Sequence, residues 1–127
     1  MSEAKQVIVI NKDLKMDAGK AAAQVAHASI AFLAHRLRSG KKISLDSMPD
    51  AEQAWIRGAF TKVCLRVDSH EELLEILAKA ECAGLETHLI TDAGRTVFDK
   101  PTDTCIGIGP DFADKIDPIT GHLRLYR

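Results

Sequence analysis

The stretch Met16-Asp17-Ala18-Gly19-Lys20-Ala21-Ala22-Ala23-Gln24-Val25-Ala26-His27-Ala28 decides the fold of this chain. It follows an apolar run and predicts a glycine-containing turn that leads directly into a helix. Lys20, Gln24 and His27 are spaced i, i+4 and i+7, so they share one face of that helix. The opposite arc is apolar and consists of Ala22, Ala26, Ile30, Leu33 and Leu37. We expect this arc to pack on a sheet, leaving the polar face open.

The polar face begins with Lys20 in the first turn of the predicted helix. Unpaired backbone N–H groups and the helix dipole favour negative charge at this end of a helix. A lysine strengthens such a site for an anion, which can be a phosphate or a developing oxyanion. The sequence therefore predicts an anion site where the helix starts.

The composition is that of an ordinary globular protein, with 46% hydrophobic and 28% charged residues in a chain of 127. This length predicts one domain over residues 1–127. The formal net charge of −1 provides no long-range attraction to nucleic acid or to an anionic membrane. A local basic patch remains compatible with this charge, because histidines and Lys/Arg residues cluster in places.

The cysteines indicate a reducing compartment. Cys64, Cys82 and Cys105 are odd in number, and no two of them form a CxxC pair, which argues against a zinc site. We therefore expect a cytoplasmic protein without metal or cofactor. No signal-peptide pattern and no apolar run of membrane-spanning length is present, so we expect no membrane association.

Hydrophobic patterning predicts strands over residues 6–10, 62–67, 86–91 and 104–110. Helices are expected over 19–37 and 49–59 and again after Ser69, which with Glu72 matches a capping box. The order predicts a three-layer α/β/α sandwich around a small mixed, mostly parallel sheet. The short link between the last two strands permits antiparallel pairing there. Residues 111–118 are expected to be a connector or a short turn of helix.

Two polar turns follow the first and third predicted strands. If these strands are parallel, Lys20 and Asp92 emerge at the same sheet edge, where ligands bind in such folds. The candidate residues at this edge are Lys20, Gln24, His27, Asp92, Arg95, Thr96 and Thr104. An ionised Asp92 could orient water, and Lys20 could stabilise a carbonyl oxyanion, which suits ester hydrolysis. Taken singly, each residue also has an ordinary role, and Asp92 before Ala-Gly is a common turn former.

At these residues the chain resembles the archaeal/eukaryotic-type peptidyl-tRNA hydrolases, the Pth2 family. The shared motifs, in order, are Lys5-Gln6-Val7-Ile8-Val9, Asp13-Leu14-Lys15-Met16, Gly19 to Ala28, Trp55, Lys62-Val63, Asp92-Ala93-Gly94-Arg95-Thr96, Gly107-Ile108-Gly109-Pro110 and Thr120-Gly121-His122-Leu123. Each motif is short, but together they cover nearly the whole chain in a specific order and spacing.

The resemblance implies a metal-independent esterase that cleaves the bond between a peptide and the 3′ end of tRNA, recycling the tRNA. It assigns catalysis to Lys20, Asp92, Thr96 and Thr104. It places Gln24, His27, Arg95 and Gly19 around the same cleft as substrate-binding residues. It also implies a mixed sheet flanked by helices and, because family members are often dimers, a homodimer.

Two acidic positions depart from the family pattern. Asp17-Ala18 stands where the family has a basic residue before the glycine, and Asp103 stands where it has one before the last threonine. Fewer basic contacts weaken nucleic-acid binding. Two alternatives therefore stay open, namely a non-catalytic paralogue that binds RNA or protein, and an esterase acting on a smaller aminoacyl ester.

Overall fold

The computed structural model describes residues 2–95 and 97–127. Over these residues, four strands and four helices form the fold. In chain order they are β1 (Ala4–Asn11), α1 (Ala18–Arg38), α2 (Asp50–Arg57), β2 (Lys62–Val67), α3 (His70–Cys82), β3 (Thr87–Asp92), β4 (Thr102–Phe112) and α4 (Ala113–Thr120), with short 3-10 turns at Lys12–Leu14 and Leu45–Ser47. The predicted strands and helices are all present. The segment over 111–118, expected to be a connector or a short turn of helix, forms the end of β4 and most of the helix α4.

The four strands form one sheet in the order β2-β1-β4-β3. β1 pairs with β2 in parallel, whereas β4 pairs antiparallel with both β1 and β3. The sheet is therefore mixed, and the prediction that it is mostly parallel was wrong. The physical reason is that the described residues of the short link over 93–101 form no crossover helix, so the chain returns beside β3 as a hairpin. Because β1 and β3 both oppose β4, their carboxyl ends nevertheless lie at the same edge.

Helices cover both faces of the sheet, which confirms the three-layer sandwich. One core packs α3 and α4 on the sheet through residues such as Leu73, Ile76 and Ile116. A second core lies under α1 and includes Ile8, Ile10, Met16, Ala28 and Cys105. Around Trp55, α2 forms a third cluster with Phe32. Ser69 caps α3 as predicted, because its hydroxyl accepts from Glu72 N at 3.1 Å.

The face of α1 that packs on the sheet differs from the predicted one. Its buried residues are Ala21, Gln24, Ala28 and Phe32, whereas Ile30 is 58% and Leu37 is 61% exposed. The cause is a close approach of the helix backbone to β4. A Cβ at Gly107 would lie 2.5 Å from Ala28 O, so only small residues fit between them.

With α1 packed in this way, its first turn lies at the sheet edge where β3 ends. This packing leaves an apolar stripe on the outer side of α1, which includes Ala22, Ala26 and Ile30. In the residues that the structure describes, no helix is both long and apolar enough to cross a membrane.

Candidate active site

The start of α1 and the end of β3 meet at the sheet edge. Asp17 caps α1, and its Oδ1 accepts a 2.8 Å hydrogen bond from Lys20 N. Lys20 Nζ lies 2.5 Å from Asp92 Oδ2, although the two residues are 72 positions apart in sequence. Their side chains are only 11% and 12% exposed. The structure therefore brings together the two residues that were expected at the same sheet edge.

The two oxygens of Asp92 have different partners. Oδ1 accepts from Gly94 N at 2.9 Å, and Oδ2 accepts from Lys20 and, at 3.3 Å, from Gln24 Nε2. The hydrogen bond from Lys20, followed by that from Gly94 N, lowers the pKa of Asp92 below its ordinary value. Asp92 is therefore ionised at neutral pH.

The turn-forming role of Asp92 and its place beside Lys20 are compatible. The bond to Gly94 N shapes the turn that leaves β3, while the other oxygen faces α1. Gly94 has a φ of +81°, and a Cβ there would lie 2.4 Å from the main-chain carbon of Lys100. Glycine is thus required for this turn. This turn also holds the Asp92 carboxylate in place.

Behind Asp92, a buried polar pair links β4 to α1. Thr104 is fully buried and Gln24 is 3% exposed. The Thr104 hydroxyl donates a 2.6 Å hydrogen bond to Gln24 Oε1 and lies 3.4 Å from Ile90 O. Gln24 in this orientation directs Nε2 toward Asp92. Gln24 therefore contacts Asp92 directly, and Thr104 acts on Asp92 through Gln24, because neither side chain is open to solvent.

The remaining predicted site residues lie at the surface or outside the described chain. Gly19, His27 and Arg95 are exposed. His27 lines a groove of about 360 Å³ between α1 and β3, which also contains His35 and His88. Thr96 lies outside the described residues.

Phe98 also lies at this site, and its contact was not predicted from the sequence. Phe98, in the link between β3 and β4, lies with its ring centroid 5.6 Å from Lys20 Nζ. This distance is within the range of a cation–π interaction. The polar, irregular link gave no periodic signal from which the contact could have been predicted.

Both acidic departures from the family pattern have local hydrogen-bond partners. Asp17 is the cap of α1. Asp103 accepts from Thr91 Oγ1 at 2.7 Å and pairs with His70 Nε2 at 2.8 Å. The bond from Thr91 and then the one from His70 lower the pKa of Asp103. Each carboxylate therefore takes part in hydrogen bonds within the fold.

Across residues 2–95 and 97–127, no three His, Cys, Asp or Glu side chains are grouped so as to hold a metal ion. The two cysteines in the strands occupy the core region, and burial raises the pKa of Cys64 and brings that of Cys105 to about 11. The polar groups that the described structure brings together at this edge are the ammonium of Lys20, the carboxylate of Asp92, the amide of Gln24 and the hydroxyl of Thr104.

Comparison with known proteins identifies one family. Residues 4–126 match the family model described as peptidyl-tRNA hydrolase PTH2. The peptidyl-tRNA hydrolase of Methanopyrus kandleri is 42% identical over 123 residues, covering 97% of this chain and 98% of that protein. That of Methanothermobacter thermautotrophicus is 44% identical over 121 residues, with 95% and 98% coverage. The human protein named peptidyl-tRNA hydrolase 2, mitochondrial, is 39% identical over 124 residues, which cover 98% of this chain and 65% of that protein.

Proposed function

This chain belongs to the peptidyl-tRNA hydrolase PTH2 family, and we propose from that premise that its Lys20–Asp92 cleft carries the reaction. The protein is an enzyme that hydrolyses the ester bond of peptidyl-tRNA, which frees the tRNA for reuse. The observation that supports this cleft is the 2.5 Å contact between Lys20 and Asp92 at the carboxyl edge of the sheet. The family relationship favours hydrolysis over the non-catalytic alternative.

Lys20 supplies positive charge to the reacting ester. Its ammonium lies at the first turn of α1, where the helix dipole adds to the local positive potential. When water attacks the ester carbonyl, negative charge develops on the carbonyl oxygen. A fixed cation in a partly desolvated cleft stabilises this charge more in the transition state than in the ground state, which lowers the barrier.

Asp92 holds the charge pair and orients water. Because its pKa is lowered, it is a weak base at neutral pH and has little driving force to remove a proton completely. Its ionised oxygens can accept hydrogen bonds from an attacking water and thereby fix the direction of attack. The same negative charge keeps Lys20 at the cleft.

Thr104 and Gln24 act as positioning residues. Burial prevents Thr104 from contacting substrate, so we assign it a role through Gln24 and Asp92 rather than the direct catalytic role that the resemblance implied. Gln24, expected to bind substrate, holds Asp92 Oδ2 through Nε2. Thr96 remains a candidate for positioning water, by resemblance alone.

The exposed residues around the cleft are assigned to the tRNA 3′ end. His27 and Arg95 can bond phosphate or hydroxyl groups. At Gly19 an added Cβ would meet Asp17 Oδ1 at 3.5 Å, an ordinary contact, so the backbone conformation does not demand glycine. The missing side chain instead leaves the start of α1 open to an approaching substrate.

A homodimer is supported by the outer side of α1. Ala22, Ala26, Ile30 and Leu33 line an apolar groove of about 690 Å³ that extends to Trp55 and neighbouring residues of α2 and β2. Apolar surfaces of this kind mark protein contacts. Sedimentation of the wild type beside Ile30→Asp tests this assignment, since a dimer held by this face dissociates in the variant.

The cytoplasmic location stays a prediction, and the human relative is described as mitochondrial.

The experiment that tests the proposed function is release of an N-acetylated aminoacyl group from tRNA by wild type, Lys20→Ala and Asp92→Ala. We expect turnover in the wild type and a loss of at least about a hundredfold in each variant. Thermal unfolding serves as the control for folding. Turnover in Lys20→Ala close to that of the wild type would refute the assignment of the cleft. Inhibition by uncharged tRNA separates this enzyme from an esterase on small aminoacyl esters, which tRNA should not inhibit.

A further inference from the structure

Three arginine side chains meet in one surface cleft beside the outer strand β2. Arg66, Arg124 and Arg127, together with Leu125, line a cavity of about 350 Å³, here called the arginine cleft. Arg124 and Arg127 are exposed, and Arg66 is partly buried. The chain as a whole has a formal net charge of −1, so this concentration of cations does not follow from a generally basic surface.

Backbone pairing holds the arginines together. The chain after α4 returns along β2, where Leu65 and Leu125 form an antiparallel bridge and Arg66 N donates to Arg124 O at 2.9 Å. Arg66 and Arg124 are thus cross-strand neighbours on one face. Like charges opposite each other repel, so an anion that bonds both guanidinium groups relieves a cost that the fold otherwise carries.

The arginine cleft lies on the same face of the sheet as Lys20. Cys64 and Tyr126 pack into the core under α1, and side-chain alternation puts Arg66 and Arg124 on that side as well. Arg66 is one residue before the end of β2, which runs parallel to β1, so the cleft is also near the carboxyl edge.

The separation between the two sites suits a nucleic-acid strand. β2 and β3 are the two outer strands, three strand spacings apart, which is about 14 Å at about 4.8 Å per spacing. At about 3.4 Å per nucleotide of one stacked strand, this distance spans about four nucleotides. The arginine cleft is thus a few phosphates away from an ester held at Lys20 and Asp92.

Local charges leave the arginine cleft positive. Asp68 Oδ1 is 3.8 Å from Arg66 Nε, and this carboxylate is largely exposed, so it neutralises Arg66 only weakly. Lys12 Nζ donates to the main-chain oxygen of Arg127 and adds a further cation beside the cleft. Planar guanidinium groups match the geometry of phosphate oxygens.

We infer that the arginine cleft binds phosphodiester groups of the tRNA a few nucleotides before the 3′ ester. This inference rests on the proposed function for the position of the ester. It identifies where RNA affinity resides in a chain that carries the acidic residues Asp17 and Asp103 where the family pattern is basic. The basic contacts lie across the sheet face rather than beside the catalytic helix start.

The test compares Arg124→Glu/Arg127→Glu with Lys41→Glu/Lys42→Glu. The control makes the same charge change at exposed loop residues after the far end of α1, a helix about 30 Å long. Each protein is assayed over a range of salt on N-acetylaminoacyl-tRNA and on the same aminoacyl ester of a single nucleoside, which lacks the upstream phosphates. Binding of uncharged tRNA is measured in parallel by fluorescence anisotropy.

The cleft variant is expected to raise KM for the tRNA substrate at least about tenfold at low salt, with kcat unchanged. The slope of log(kcat/KM) against log salt should fall by about two, and hydrolysis of the nucleoside ester should not change. The inference is overturned by a tRNA KM and salt slope equal to those of the control, or by an equal loss on both substrates.

The two proposals fail in different ways. A wild type that hydrolyses neither ester refutes the proposed function, while the anisotropy measurement still tests the arginine cleft. Weaker and less salt-dependent tRNA binding in the cleft variant than in the control then supports the cleft. Equal binding by the two variants, or no binding by the wild type, overturns it.

Discussion

The hydroxyl of Thr104 on β4 donates a 2.6 Å hydrogen bond to Oε1 of Gln24 on α1, and both side chains are buried. This bond decides which end of the Gln24 amide faces the cleft, because a donor at Thr104 requires the amide oxygen and leaves Nε2 for Asp92. A pair that solvent hardly reaches thus sets the geometry of the Asp92 carboxylate in the cleft.

Replacing Thr104 with valine keeps its shape and removes the donor. The buried Oε1 of Gln24 then lacks a partner, which costs about 1–3 kcal/mol of stability. Because Asp92 loses its fixed orientation, we expect kcat for N-acetylaminoacyl-tRNA to fall about tenfold while KM stays constant.

Two further variants separate positioning from simple destabilisation. Thr104→Ser keeps the hydroxyl and should recover most of kcat. Gln24→Leu should lose kcat like Thr104→Val, and the double variant should lose less than the sum, because both changes break the same chain of hydrogen bonds. Additive losses, or equal losses in the serine and valine variants, would contradict the role of the pair.

Lys20 controls the ionisation of Asp92. Its hydrogen bond is the main reason that the pKa of Asp92 is lowered, so Lys20→Met should raise this pKa toward the ordinary value of an aspartate. The carboxyl carbon of Asp92 can be titrated by NMR in both proteins, whether or not the variant is active. Asp103, whose pKa is lowered through Thr91 and His70, is the internal control and should titrate alike in both. An unchanged Asp92 titration would show that another group sets its pKa.

Glu86 stabilises the fold at neutral pH through an ionic network at the start of β3. His88 and Arg36, at 2.7 and 2.9 Å, lower the pKa of Glu86 from 4.5 to about 2, while partial burial opposes the shift. A lowered pKa means that the folded state prefers the ionised form. The stabilisation is therefore complete above about pH 4.5 and is lost as the pH falls toward 2.

Glu86→Gln should accordingly be less stable than the wild type at pH 7, by on the order of 1–2 kcal/mol after allowance for partial solvent screening. The difference should shrink as the pH falls and vanish near pH 2. Urea unfolding between pH 2 and pH 7 measures it. A difference that does not depend on pH would mean that packing, not charge, accounts for the effect.

The sequence was sufficient for the layers of the fold and for the central contact of the site. Strand order along the chain placed Lys20 and Asp92 at one edge, because only the relative directions of β1 and β3 decide this placement. The sequence was not sufficient to predict which face of α1 is buried, because apolar periodicity favoured Ile30 and Leu37 as buried residues, and both are exposed. Burial of Gln24 depends on a hydroxyl 80 residues away, a pairing that local patterns do not carry.

The position of α1, and therefore of Lys20, depends on Gly107. A Cβ at this residue would lie 2.5 Å from Ala28 O, and the contact is with backbone rather than with a flexible side chain, so the helix must move. We expect Gly107→Ala to lower the free energy of unfolding by about 1–3 kcal/mol and also to lower kcat, because α1 carries Lys20 away from Asp92. Gly19→Ala, the same substitution within α1 itself, is the matched control. Its added Cβ meets only Asp17 Oδ1 at 3.5 Å, so stability should be kept or slightly increased, while KM rises if substrate passes over this turn. Urea unfolding together with kcat and KM distinguishes the two variants. Full stability in Gly107→Ala would mean that α1 does not depend on this close approach.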